Sequence, residues 1–147
     1  MKVLFVCTGN MCRSPMAMFM LRDELKRRGV KGVEVDSAGT MKHEKPMTPL
    51  AVDTLKKHIV PVEPYLSKFV DDKIFDDADF VFVMTDEHKT MLEAWHKNGG
   101  KVKTVGEFLG HEVSDPYGLG EAAYEQTFKD LKEAMPQIAD LLQSKAF

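Results

Sequence analysis

Cys7 and Arg13 stand six positions apart in the run Cys7-Thr8-Gly9-Asn10-Met11-Cys12-Arg13-Ser14, directly after the apolar residues Val3-Leu4-Phe5-Val6. A cysteine at the end of a buried strand, followed by an arginine and the helix start Ser14-Pro15, forms a phosphate site with a nucleophile at its centre. Backbone N–H groups from Thr8 to Arg13 in a tight loop and at a helix N-terminus favour an anion, and Arg13 can clamp it bidentately. The same field favours the reactive thiolate of Cys7. A Walker loop would need Gly-x4-Gly-Lys-Ser/Thr and a dinucleotide loop three spaced glycines; this loop has Gly9 alone and no lysine nearby.

A second element supplies what such a nucleophile lacks. Ser114-Asp115-Pro116-Tyr117-Gly118 reads as a loop before the final helix, fixed by a proline and turned by a glycine. Displacing a phenolic leaving group requires protonating it, since a tyrosine phenolate has a pKa of about 10. An aspartic acid held over the pocket is suited to that task. It can then act as base toward the water that releases phosphate from the thiol.

The elements that must position these groups follow from periodicity. Residues 2–6 read as a strand buried on both faces, because their apolar character is continuous. Residues 15–28 read as a helix with Ala17, Leu21 and Leu25 on one face, and 33–35 as a short strand entering the turn Ser37-Ala38-Gly39-Thr40. A second helix is expected over 48–58, with Thr48 as cap and Pro49 at its first position. Further helices are expected over 67–77 and 86–97, strands over 79–84 and 101–105, and a last amphipathic helix carrying Tyr124, Phe128, Leu131, Met135, Ile138 and Leu142. Pro136 falls within it. Alternating strands and helices predict a single α/β domain over residues 1–147: a three-layer open sheet of about four parallel strands, helices on both faces, and the phosphate loop after strand 1. In such folds ligands sit beyond the carboxyl ends of the strands, where Cys7 and Asp115 should meet.

Composition narrows the class. The chain has 147 residues, 44% hydrophobic and 29% charged, enough for a core without disulfide or metal staples. A net charge of −3 does not suggest a nucleic-acid partner. No apolar run is long enough to span a membrane and no leader pattern opens the chain, so a cytoplasmic protein is expected. Both cysteines lie inside the loop, which excludes a spread disulfide framework, and Cys-x4-Cys alone offers too few ligands for structural zinc. The five histidines, His43, His58, His88, His96 and His111, show no metal-ligand spacing and read as solvated surface residues. No metal and no cofactor is expected.

The stretch from Val6 to Pro15 resembles the active-site signature of the low-molecular-weight protein tyrosine phosphatases. Asp36-Ser37-Ala38-Gly39-Thr40, Ala78-Asp79-Phe80-Val81 and Asp115-Pro116-Tyr117 resemble that family in the same order, so the likeness spans nearly the whole chain. It implies Cys7 as nucleophile through a cysteinyl-phosphate, Arg13 as phosphate clamp, and the backbone of Thr8, Gly9, Asn10, Met11, Cys12 and Arg13 as oxyanion cradle. Asp115 becomes general acid and base. Asn10 would hold an unusual backbone conformation, Ser14 would donate to the Cys7 thiolate, and Ser37 would brace Asn10. Cys12 becomes either a reversible disulfide partner that shields Cys7 from over-oxidation or a small buried hydrophobe. The implied partner is a phosphorylated protein or peptide, with phosphate as product and competitive ligand and a monomer as the default state.

The chain departs from the family at three places. A histidine often supports the loop network where Glu63 aligns here. His43 stands where an aromatic residue commonly walls the pocket, and Gly118 replaces a second aromatic, leaving Met11, His43 and Tyr117 as the walls. Bacterial protein-arginine phosphatases resemble this chain as well, in Cys-Thr-Gly-Asn, in Met84 to Lys89 and in Asp-Pro-aromatic-Gly. They typically carry threonine where Met11 stands. Apolar Met11 suits a phenyl ring, so phosphotyrosine is the expected substrate and phosphoarginine the alternative. Arsenate reductases of this fold need further cysteines downstream, absent here. A non-catalytic phosphoprotein-binding module is disfavoured because Cys7, Arg13 and Asp115 are all in place.

Overall fold

Every side chain from Val3 to Cys7 is buried, and the strand they form divides its residues between two cores. Val3, Phe5 and Cys7 enter one core, Leu4 and Val6 the other, as alternation across a pleat requires. The computed structural model describes residues 1–146. This first strand, β1 (Lys2–Cys7), is central in a four-stranded sheet with β2 (Glu34–Gly39), β3 (Phe80–Val83) and β4 (Val102–Thr104). Their order is β2-β1-β3-β4 and every pairing is parallel. The register sets Cys7 beside Gly39 and Val6 beside Val83, so three strands end close to the phosphate loop.

Six helices cover the two faces. Against the Phe5 face pack α1 (Arg13–Arg27), α2 (Pro49–Lys57) and α6 (Glu121–Ala146), the last through Tyr124, Phe128, Leu131, Met135, Ile138 and Leu142. Against the Leu4 face pack α3 (Asp72–Asp77), through Phe75, and α4 (Asp86–Trp95), through Leu92. The short α5 (Gly106–Leu109) follows β4 and was not expected from periodicity, since one turn has none. Among the described residues, no helix is long and apolar enough to cross a membrane.

Three expectations are corrected. Ser37, Ala38 and Gly39 are the end of β2, paired with Phe5, Val6 and Cys7, rather than a turn. The helix expected over 67–77 exists only as α3, capped by Asp71 Oδ1 accepting from Ile74 N at 2.8 Å. The preceding residues are extended because their backbone pairs elsewhere: Ser67 N donates to Lys45 O, and Val70 N donates to Gly39 O. The histidines are not uniformly solvated. His88 is buried, and His96 is stacked on Phe75 with centroids 4.4 Å apart and its Nδ1 2.7 Å from Asp72.

Candidate active site

Strand β1 ends at Cys7, helix α1 begins at Arg13, and residues 8–12 wrap the space between them. The wrap is possible because Asn10 takes a left-handed φ of 55°, a region that asparagine tolerates better than most residues. Its side chain is fixed at every polar position. Nδ2 donates to Ser14 Oγ at 2.7 Å and Ser37 Oγ at 2.9 Å, while Oδ1 accepts from the Tyr65 hydroxyl at 2.7 Å and Lys68 N at 3.0 Å. Asn10 donates to Ser14 Oγ, which leaves the Ser14 hydrogen for Cys7 Sγ at 2.9 Å, the nearer of its two acceptors, with Ala38 O at 3.4 Å.

The other wall of the loop is Gly39. A Cβ at that position would stand 2.7 Å from Thr8 O and 2.9 Å from Asn10 Cβ, so the close approach of β2 to the loop depends on glycine. There the backbone N–H of Thr40 donates to Cys7 O and Thr8 O, both at 3.0 Å, which holds these carbonyls away from the anion site.

Arg13 is 4% exposed. Its Nη1 donates to Val113 O at 3.0 Å and its Nη2 lies 3.7 Å from Asp115 Oδ2. Asp115 accepts from Tyr117 N at 3.1 Å, the local turn that Asp-Pro favours. Cys7, Arg13 and Asp115, 108 residues apart at the extremes, thus line one cleft of about 210 Å³ with Thr8, Gly9, Met11, Cys12, Met41, His43, Lys45 and Tyr117. Met11, His43 and Tyr117 stand where the walls were expected. Both ring nitrogens of His43 are buried without a hydrogen-bond partner among the described residues.

Cys12 sits behind the loop, its sulfur 3.2 Å from the Tyr124 hydroxyl and 3.4 Å from Thr48 Oγ1. Burial pushes its thiol pKa up, against hydrogen bonds from Thr48 and Tyr124 that pull it down. The structure contains both cysteines as free thiols. Burial likewise raises Tyr65 and Tyr124 to about 12, so both remain hydroxyl donors.

Sequence reasoning missed several of these residues. Glu63, which stands where the family often has a supporting histidine, is exposed, and Tyr65, two positions on, holds the loop instead. Nothing in the run Pro61 to Tyr65 signalled it. His88, read as solvated, reaches Thr8 Oγ1 with Nε2 at 2.8 Å, and its segment from Met84 to Lys89 had been noted only as a likeness. Met41, Lys45, Thr48, Tyr124 and the carbonyl of Val113 complete the surroundings.

Comparison with known proteins places this geometry. The profile of the family described as low molecular weight phosphotyrosine protein phosphatase matches residues 2–146. The protein-arginine-phosphatase of Bacillus subtilis (strain 168) is 36% identical over 148 residues, 97% of each chain. The low molecular weight protein-tyrosine-phosphatase PtpB of Staphylococcus haemolyticus is 30% identical over 138 residues, 89% of this chain and 92% of its own. Among solved structures, a cysteine-to-serine mutant of the YwlE arginine phosphatase with a phosphorylated active site serine has a TM-score of 0.86 at 32% identity, covering 97% of this chain and 96% of its own. A match that runs from the first strand into the last helix supports one conclusion: the chain belongs to the family of low molecular weight phosphotyrosine protein phosphatases.

Proposed function

We propose that the protein hydrolyses phosphotyrosine in phosphorylated proteins or peptides through a cysteinyl-phosphate. The observation that carries this reading is the meeting of a thiol, a buried guanidinium and a carboxylate in one cleft. The Cys7 thiolate attacks phosphorus and the S–P bond forms as the P–O bond to the ring breaks. Asp115 gives its proton to the departing phenolic oxygen. Water then attacks phosphorus, Asp115 takes its proton, the S–P bond breaks, and phosphate leaves the regenerated thiolate. Throughout, Arg13 and the backbone N–H groups from Thr8 to Arg13 carry the charge on the phosphoryl oxygens. The serine-phosphorylated mutant of a relative is consistent with a covalent step at this position.

Met11 and Tyr117 offer apolar surface for a phenyl ring, and Lys45 sets a positive charge at the cleft that a guanidinium substrate would meet unfavourably. The 36% identity to a protein-arginine-phosphatase favours the second reading, phosphoarginine hydrolysis by the same thiol. In either case Cys12 is the redox partner of Cys7. Inorganic phosphate competes with substrate, no metal takes part, and the enzyme works as a monomer in the cytoplasm.

The deciding experiment compares kcat/KM on matched phosphotyrosine and phosphoarginine peptides, with Cys7→Ser as blank and a chelator present in parallel. The expected result is preference for phosphotyrosine, no turnover by Cys7→Ser and full activity with chelator. Preference for phosphoarginine would establish the second reading; activity of Cys7→Ser would remove both.

A further inference from the structure

The phosphate loop also meets a residue outside the nucleophile, the clamp and the acid. His88, in the first turn of α4, is 4% exposed and bridges two threonine hydroxyls: Thr85 Oγ1 lies 3.0 Å from Nδ1, and Thr8 Oγ1 lies 2.8 Å from Nε2. Thr8, by contrast, is exposed and lines the cleft beside Cys7 and Arg13.

Of the two tautomers, one pairs both the Thr85 hydrogen and the ring hydrogen within this chain. Thr85 Oγ1 caps α4 by accepting from the backbone N–H of His88 at 3.2 Å. Its own hydrogen is then free, and the acceptor within reach is Nδ1. A neutral imidazole that accepts at Nδ1 carries its hydrogen on Nε2. In that tautomer Nε2–H donates to Thr8 Oγ1, and the Thr8 hydroxyl hydrogen turns away from His88. The opposite tautomer would consume that hydrogen on Nε2 and leave Thr8 presenting lone pairs to a phosphate dianion.

We infer that His88 is a positioning residue that makes the Thr8 side chain a hydrogen-bond donor to the bound phosphoryl group, beyond the backbone cradle. The inference rests on the phosphatase reading and adds to it a side-chain contact of this chain's own loop. The surroundings keep the ring neutral at working pH. Burial, and then the charge of Arg13, lower its pKa to about 4, with Glu112 and Asp115 acting weakly the other way.

The test has two arms. Nitrogen-15 NMR of the wild-type protein reads the His88 tautomer directly, and a purely structural histidine is not required to carry its proton on Nε2. Nε2–H at pH 7 is expected; Nδ1–H overturns the inference even if every variant fails to fold. The second arm measures inorganic phosphate binding in a Cys7→Ser background, where no turnover interferes. His88→Leu and Thr8→Val should each weaken phosphate about tenfold, as loss of one hydrogen bond to a charged group implies. His88→Gln, whose amide can still donate to Thr8, should recover most of the loss. In the Thr8→Val background, His88→Leu should add nothing; independent, multiplying losses overturn the inference. If phosphate fails to bind even with His88 and Thr8 intact, the phosphatase reading fails instead, and the two failures stay distinct.

Discussion

The Tyr65 hydroxyl donates to Asn10 Oδ1 across 2.7 Å and accepts from Ser37 Oγ at 2.8 Å, tying two parts of the chain to the strained residue of the phosphate loop. Asn10 in turn orients Ser14 toward Cys7. Held as a phenol up to about 12, Tyr65 does this without titrating anywhere in the working range. Tyr65→Phe should lower stability by about 1–3 kcal/mol, since it strips partners from two polar groups in the loop network. Thermal unfolding reads that loss. In steady-state kinetics kcat should fall more than KM rises, because the thiolate rather than the substrate contacts is disturbed.

Gly39 gives a sharper contrast. Gly39→Ala drives a methyl into Thr8 O and Asn10 Cβ at distances that backbone cannot relieve cheaply. Gly100→Ala, with nothing within 4 Å of its added carbon, is the matched control. The first should cost at least about 2 kcal/mol and most of the activity, the second within about 0.5 kcal/mol of nothing. Urea denaturation of the two proteins side by side decides it.

Protonation of His88 sets an acid limit. Its pKa falls from 6.5 to about 4 on folding, so between those values the unfolded chain binds a proton that the folded chain does not. The contribution of neutral His88 is complete above pH 6.5 and is lost as pH falls toward 4, by up to about 3 kcal/mol. The difference in unfolding free energy between wild type and His88→Gln should narrow over that window in the wild type's disfavour. A difference constant from pH 7 to 4 would contradict it.

Asp115 is tested by its leaving group. Asp115→Asn should lower kcat/KM by about 10²–10³ on phenyl phosphate, whose phenolate needs the proton, and far less on an aryl phosphate with an acidic phenol, because kcat/KM excludes the later step in which Asp115 acts as base. A plot of log kcat/KM against leaving-group pKa should steepen in the variant. Equal losses on both substrates would leave Asp115 without its proton-donating role.

The parts legible in the sequence share one property: their residue types and spacing are local. Cys7 to Ser14 carries its chemistry within eight consecutive residues, and the continuous apolar run of β1 announces a strand covered on both faces. Tyr65 was illegible because it reaches Asn10 from 55 residues away, out of a proline-broken segment with no period to read. Ser37-Ala38-Gly39 looks like a turn because its residues are small; Gly39 is small because the phosphate loop presses against it. His88 was misread for the same reason, since a histidine three residues past a threonine cap resembles any exposed first turn. Burial by a distant loop leaves no local mark.

The hydrogen bond between Cys12 and Tyr124 spans 112 residues, and that between Arg13 and Val113 spans 100. Translation delivers these partners in order. At 5–20 residues per second, the phosphate loop leaves the ribosome roughly 5 to 20 seconds before the residues that enclose it. During that interval the nascent chain carries two uncovered thiols and an arginine without its carbonyl. Arg13 gains its carbonyl partner when Val113 arrives and the Cys12 thiol its hydroxyl partner only when the last helix docks, so a chain interrupted before α6 would possess the signature without Tyr124 behind it.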